Sequence, residues 1–308
     1  MERQRTLSAV AVIAIAAISI VALYSFRANT LANNTSTDRY KVVVDYMGRN
    51  VSVPKNPERI VSLSGDLTEI LYAIGAGDKI VGVDRYSTYP PEAANKTNVG
   101  TSGALNLETL IALQPDLVLL WSYQAEIVPV LESYNITVVV VDATSLSDLM
   151  QTMKFVGLLC GKTEAAEALT TDLQSRINAI KDKTQWIPDS EKPLVYFEGM
   201  SPLRSYNSST FTNDMIRIAG GINIAANETV KYPPLKSEYV LMQNPNVIIV
   251  ISSGASEDSI KARAGWQGID AVKNDRVYRI DTKWCSANPR IILGVEQIAK
   301  WLHPELFK

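Results

Sequence analysis

Few residues in this 308-residue chain are of the types that act in catalysis or bind metals, and they are far apart in the sequence. There is one histidine, His303, near the C-terminus, and the two cysteines, Cys160 and Cys285, are far apart. Ser-His-Asp or Cys-His catalysis would have to use the tail histidine, and a metal site with several histidines cannot be built. Asp66 and Glu69 could form an acid–base pair, but Glu69 is more simply a first-turn helix acid. We therefore predict a protein that is not an enzyme, with no catalytic and no metal-ligating residues.

Two glutamates occupy the same place in a sequence unit that occurs twice. Glu108 and Glu238 each stand seven residues before a proline that leads into an apolar, strand-like run. Asn106 and Ser237 precede them as predicted helix N-caps, so each acid should complement its helix dipole by about 0.3–1 kcal/mol. That role does not explain why both halves carry the acid. Two exposed carboxylates, one per half, could also dock onto arginines of a twofold partner.

The elements that hold these residues follow an α/β rhythm. With 46% hydrophobic and 20% charged residues and a net charge of −2, the chain is globular, with no basic excess for nucleic acid. Apolar strands alternate with short helices before and after a long helical stretch. We predict an α/β fold of two Rossmann-like lobes with parallel-rich sheets, joined by one long α-helix, with a ligand cleft between the lobes. The predicted boundaries are 1–27 (anchor or signal), 28–38 (polar tether), 39–145 (first lobe), 146–184 (inter-lobe helical segment) and 185–308 (second lobe).

The N-terminus predicts the compartment. Leu7 to Phe26 is an uncharged run of twenty residues, long enough to cross a bilayer as a helix. Arg3 and Arg5 precede it and only Arg27 follows closely, which favours an internal N-terminus and an external body. The run is longer than a usual signal-peptide core and lacks a clean cleavage site, and no cysteine follows that could carry a lipid. We predict an uncleaved anchor, with a cleaved signal peptide as the alternative.

Glycosylation sequons are more frequent than chance would give, which fits an outer-surface glycoprotein. They begin at Asn33, Asn34, Asn50, Asn95, Asn135, Asn207 and Asn227. Sequence spacing leaves open whether Cys160 and Cys285 form a disulfide.

Several motifs, in this order, resemble those of one family of transport receptors. They are PERIVSLS (57–64), TEIL (68–71), GDKIVGV (77–83), PDLV (115–118), AGGIN (219–223) and LHPELF (302–307). From about Tyr40 to Lys308 the chain resembles a substrate-binding protein of an ABC importer, in the single-helix-linked group for cobalamin, haem and ferric siderophores. The resemblance implies that Glu108 and Glu238 contact arginine pockets on a permease dimer served by ATPase subunits.

Within that group, several segments are similar to the vitamin B12 binders. The resemblance implies cleft aromatics at Tyr86, Trp121 and Tyr232, because flat rings bury area on a large macrocycle with little loss of rotamer freedom. Ser102 stands where another aromatic is found in that group, and Trp284 lies beside the position of a polar pair. Asp66 is a further, charged candidate. Cobalamin, a related corrinoid, haem and a ferric chelate all remain open as ligands.

The predicted function is an extracytoplasmic receptor that captures a metal chelate and delivers it to an ABC permease. We expect a monomer without a cofactor of its own, held to the membrane by the N-terminal helix or secreted, with no nucleic-acid partner. The alternative is a surface sensor or adhesin that uses the same two-lobe fold without transport. A bare zinc or manganese binder is disfavoured because such sites use several histidines.

Overall fold

The computed structural model describes residues 39–308. The predicted anchor and tether, and the sequons at Asn33 and Asn34, lie outside the described residues. Within residues 39–308, no helix has the length and apolar character needed to cross a membrane. The described part opens with an antiparallel hairpin of β1 (Tyr40–Val44) and β2 (Asn50–Pro54). Gly48 stands in the connecting turn with φ +74°, a backbone conformation that glycine adopts without strain.

The first lobe contains a parallel five-stranded sheet of order β5-β4-β3-β8-β9. Its central strands are apolar runs buried on both faces, as expected when helices cover a parallel sheet. The strands are β3 (Ile60–Ser62), β4 (Ile80–Val83), β5 (Thr97–Asn98), β8 (Leu117–Trp121) and β9 (Val138–Val141), with a small hairpin of β6 (Gly100–Thr101) and β7 (Ala104–Leu105). The helices are α1 (Gly65–Ala73), α2 (Leu107–Ala112) and α3 (Val128–Ser133).

The second lobe repeats this plan with a parallel four-stranded sheet of order β11-β10-β12-β13. The strands are β10 (Leu194–Glu198), β11 (Ile222–Asn223), β12 (Val247–Ile251) and β13 (Val277–Ile280). The helices are α6 (Phe211–Ile218), α7 (Ser237–Gln243), α8 (Glu257–Lys261), α9 (Asp270–Lys273) and α10 (Ile291–Leu302). The sequence pattern over Trp266–Lys273 predicts one helix, and the structure shows that this prediction is wrong. A 3-10 turn ends at Gly268, and Ile269 is extended, so only the short α9 follows.

Two helices connect the lobes. Helix α4 (Leu146–Leu159) packs on α1, and α5 (Thr163–Thr184) reaches α6 and α10 of the second lobe. At 22 residues, α5 is about 33 Å long. Gly157 of α4 lies against Ala166 of α5, where an added Cβ would be only 2.3 Å from the alanine Cβ. One apolar cluster runs from the first sheet through α4, α5 and α10 to the second sheet. The predicted α/β class with parallel-rich sheets is confirmed.

Candidate ligand-binding cleft

A cleft of about 200 Å³ lies between the lobes, beside the carboxyl ends of strands from both sheets. Open α/β sheets bind ligands at this edge because the loops that follow the strands converge there. The cleft walls combine five aromatic rings with two carboxylates and one ammonium group. These are Trp121, Tyr123, Tyr206, Phe211 and Tyr232, with Asp66, Asp142 and Lys231.

Trp121 forms the buried wall on the first-lobe side. It ends β8, and its indole Nε1 donates to the hydroxyl of Ser64 at 3.0 Å. Its backbone N–H donates to the side-chain oxygen of Gln124, also at 3.0 Å. Ser64 caps α1 by accepting from the backbone N–H of Asp66. The ring is therefore fixed in position, and one hydroxyl links it to the start of the helix that carries Asp66.

Tyr206 and Tyr232 form the aromatic wall on the second-lobe side. Their rings meet edge to face, with centroids 5.7 Å apart, and Tyr206 packs in the same way against Phe197 at 5.5 Å. Arg204 helps to position Tyr232, because the Arg204 Nη1 donates to the Tyr232 carbonyl at 2.9 Å. The Lys231 ammonium lies 5.6 Å from the Tyr232 ring centroid. Burial raises the pKa of Tyr206 to about 12, so its hydroxyl stays protonated.

Asp66 connects the cleft to the contact between the lobes. Its Oδ1 accepts from Asn288 Nδ2 of the second lobe at 2.9 Å. Burial, aided by the negative charges of Glu69 and Asp84, raises the pKa of Asp66 to about 6, although the Asn288 hydrogen bond opposes this. A ligand that donates a hydrogen bond to Asp66 would therefore contact a carboxylate that also links the two lobes through Asn288.

One turn further along α1, Glu69 forms a bidentate ion pair with Arg290 of the second lobe. Arg290 Nε donates to Oε2 at 2.7 Å and Nη2 donates to Oε1 at 2.5 Å. The guanidinium also lies 4.0 Å from the centroid of the Tyr89 ring. Arg290 thus does more than supply a charge in the first turn of the last helix. It stands at the N-cap position of α10 and joins the two lobes. We call the Glu69–Arg290 and Asp66–Asn288 pairs the inter-lobe clasp.

Glu108 and Glu238 are exposed in the first turns of the short helices α2 and α7. The Asn106 side chain caps α2 by accepting from the Thr109 N–H, as predicted. The prediction that Ser237 caps α7 is wrong. Ser237 is the first helical residue, and its hydroxyl accepts from Trp266 Nε1 at 2.8 Å.

Three further residues predicted for the site are not among those that line the cleft. Tyr86 is exposed, with the Arg85 guanidinium 4.9 Å from its ring centroid. Trp284 packs against the apolar cluster between the lobes. Ser102 lies in the turn between β6 and β7. The cleft thus brings together Asp66, Trp121 and Tyr232 of the predicted set.

Sequence reasoning missed several lining residues, namely Tyr123, Tyr206, Phe211 and Lys231. The signal that could have found them is their position in segments that follow strand ends. Cys285 also borders the cleft and is a free thiol, as is the buried Cys160. Burial raises the pKa of the Cys285 thiol, so it stays protonated. Of the sequon asparagines, Asn207 is buried, and its amide donates to the Glu228 carbonyl.

The comparison with known families decides the assignment. The sequence profile described as "Periplasmic binding protein" matches residues 60–283. The chain belongs to the periplasmic binding protein family. A Bacillus subtilis relative, "Uncharacterized ABC transporter substrate-binding lipoprotein YvrC", is 34% identical over 88% of this chain and 88% of that protein. The "Vitamin B12-binding protein" of Pectobacterium atrosepticum is 31% identical over 80% of this chain and 88% of that protein.

Solved structures of the family share the fold. The "periplasmic heme-binding protein RhuT" from Roseiflexus sp. RS-1 has a TM-score of 0.71 and 28% identity, covering 80% of this chain and 98% of that one. This periplasmic binding protein is therefore similar to an ABC transporter substrate-binding lipoprotein and to proteins named for binding vitamin B12 or haem. The predictions of family and of a binding protein rather than an enzyme are confirmed.

Proposed function

We propose that this periplasmic binding protein captures a metal chelate outside the cytoplasm, a corrinoid first among them, and delivers it to an ABC permease. The observation that carries the proposal is the aromatic wall on both sides of the cleft, with Trp121 opposite the Tyr206–Tyr232 pair. Flat rings bury a large macrocycle at low entropic cost. The vitamin B12-binding relative supports the same ligand class.

The charges of the cleft favour a corrinoid over haem or an acidic siderophore. Two carboxylates, Asp66 and Asp142, face a single ammonium group, that of Lys231. Like charges that meet in a binding site cost several kcal/mol, which disfavours haem propionates and anionic catecholates. The amide-bearing rim of a corrinoid is neutral and can donate to these carboxylates. The hydroxyls of Thr144 and Thr210 already donate to Asp148 and to the Asn207 carbonyl, so towards a ligand they could act only as acceptors.

The size of the cleft implies how such a ligand would sit. About 200 Å³ is below the 300–1,000 Å³ range of small-molecule pockets. A macrocycle would therefore either protrude from the mouth or part the lobes slightly, and parting the lobes would stretch the inter-lobe clasp. In the delivery step, Glu108 and Glu238 would engage arginines of a permease dimer, one acid from each lobe. The body would be held at the outer surface as a monomer by residues 7–26 or released after signal cleavage.

The test is ligand retention by the full-length chain in detergent. After mixing with cobalamin, cobinamide, haemin or ferric siderophores and desalting, we expect a corrin absorption spectrum at one ligand per chain. Tyr232→Ala should weaken retention at least tenfold, since removing an aromatic ring that the ligand covers in the cleft costs about 1.4 kcal/mol or more. Tyr134→Ala, which removes an exposed ring directly after α3, is the matched control. Retention of haem or a ferric chelate alone would refute the corrinoid assignment.

A further inference from the structure

The hairpin formed by β1 and β2 displays an apolar outer face. The side chains of Lys41, Val43 and Asp45 turn towards the protein, while those between them point outward. The outward apolar side chains are 50–69% exposed, and they are Tyr40, Val42, Val44, Tyr46 and Met47. We call these five residues the hairpin face. A contiguous apolar surface on a small two-stranded sheet marks a site of interaction.

The hairpin segment itself carries an excess of positive charge. Residues 39–55 contain four basic residues, Arg39, Lys41, Arg49 and Lys55, in a chain whose net charge is negative. The one acid of the segment, Asp45, is buried and paired with Arg49 at 2.6 Å. The outward residues of the neighbouring strand, Asn50, Ser52 and Pro54, are uncharged. The segment therefore combines outward tyrosine and aliphatic side chains with an excess of basic residues, and the nearest carboxylates belong to other elements: Glu132, which pairs with Arg49 at 2.7 Å, and Asp142 beside Tyr46.

The position of the hairpin in the chain indicates which partner could contact the hairpin face. It is the first described element, and only thirteen residues separate Tyr40 from Phe26, the end of the apolar run. Thirteen residues span at most about 50 Å even when fully extended. If the run anchors the chain, the hairpin is the part of the body held nearest the bilayer. Tyrosine is enriched at membrane interfaces, and basic residues near an anionic lipid surface add about 1 kcal/mol each.

We propose that the hairpin face rests on the lipid surface and orients the tethered receptor. This inference depends on the proposed anchoring of residues 7–26. Contact between the hairpin face and the lipid would fix the orientation of the receptor on the membrane. The cleft would be oriented with it, because Tyr46 at the hairpin tip lies beside Asp142 of the cleft. With the hairpin on the bilayer, the cleft mouth is held close to the membrane surface while remaining open to solution. Lipid contact would thus reduce the number of orientations that the receptor samples before it docks on the permease.

The test uses the full-length chain in vesicles of phosphatidylcholine and phosphatidylglycerol, with a spin label at Val44→Cys. The matched control is a label at Met242→Cys, an apolar position on α7 that is 72% exposed, compared with 61% for Val44. Cys160 is buried, whereas Cys285 is partly exposed at the cleft, so labelling of the parent chain measures the background at the native thiols. The ratio of oxygen to nickel-chelate collision rates should be higher at position 44 than at position 242, since only the former meets the acyl boundary.

Equal, water-like ratios at the two positions would overturn the inference. So would shielding at position 44 that disappears on dilution with lipid, because a second copy of the chain would then be the cover. A chain that fails to float with the vesicles would refute both the anchoring and this inference. Capture of the chelate by the same sample, read from its absorption spectrum, tests the proposed function separately.

Discussion

Removing Arg290 should cost far more stability than removing a surface ion pair of similar geometry. Its guanidinium makes two charge-assisted hydrogen bonds to Glu69, whose side chain is only 8% exposed. Arg290→Met keeps the aliphatic stem but leaves that carboxylate buried and unpaired. Breaking a buried pair from one side costs about 3–5 kcal/mol, and loss of the Tyr89 contact adds about 0.5–1 kcal/mol.

The assay is urea unfolding of single and double variants at neutral pH. Glu69→Gln with Arg290→Met should be more stable than Arg290→Met alone, because no charge is then left buried without a partner. Asp189→Asn is the control, since it breaks a 2.7 Å pair with Lys192 in which the carboxylate is 86% exposed. The control should lose about 1 kcal/mol or less. A loss for Arg290→Met no larger than that of the control would refute the assignment of the clasp as a buried, inter-lobe ion pair.

Three further predictions address other parts of the molecule. Because the pKa of Asp66 is raised to about 6, the folded state binds its proton more tightly than the unfolded state does. Asp66→Asn should therefore be more stable than the parent above pH 6 in urea unfolding, and the difference should vanish below about pH 4; a pH-independent difference would contradict the raised pKa. Glu108→Lys with Glu238→Lys should abolish uptake in transport assays while ligand retention stays unchanged, and unaltered uptake would rule out docking through these acids. Gly157→Leu should lower the free energy of unfolding by about 1–3 kcal/mol through its clash with Ala166, and a fully tolerated leucine would show that α4 and α5 can separate.

The regular elements could be predicted because their signals are local. The buried strands read as apolar runs of four or five residues, and the break between α4 and α5 follows from Gly161, whose φ is +67°. The Asn106 cap likewise depends on residues within one turn. Such features depend on periodicity and backbone preference, which the sequence displays directly.

The site was less predictable because its contacts join distant parts of the chain. Arg290 and Glu69 are 221 residues apart, and only the packing of the two lobes brings them together. The Ser237 hydroxyl was expected to cap its own helix, but the indole of Trp266 takes it instead. A tertiary hydrogen bond has overridden a local preference here. Aromatic residues in loops, such as Tyr206, carry no periodic signal that distinguishes cleft from surface.

The close crossing of α4 and α5 has a mechanical consequence for the whole receptor. Gly157 and Ala166 bring the helices together near the break, so the two cannot slide freely there. The continuous α5 then extends into the second lobe without a flexible loop. The cleft therefore opens against the elastic bending of a helix rather than about a free hinge. We therefore expect the empty and filled forms of the protein to differ little in overall shape.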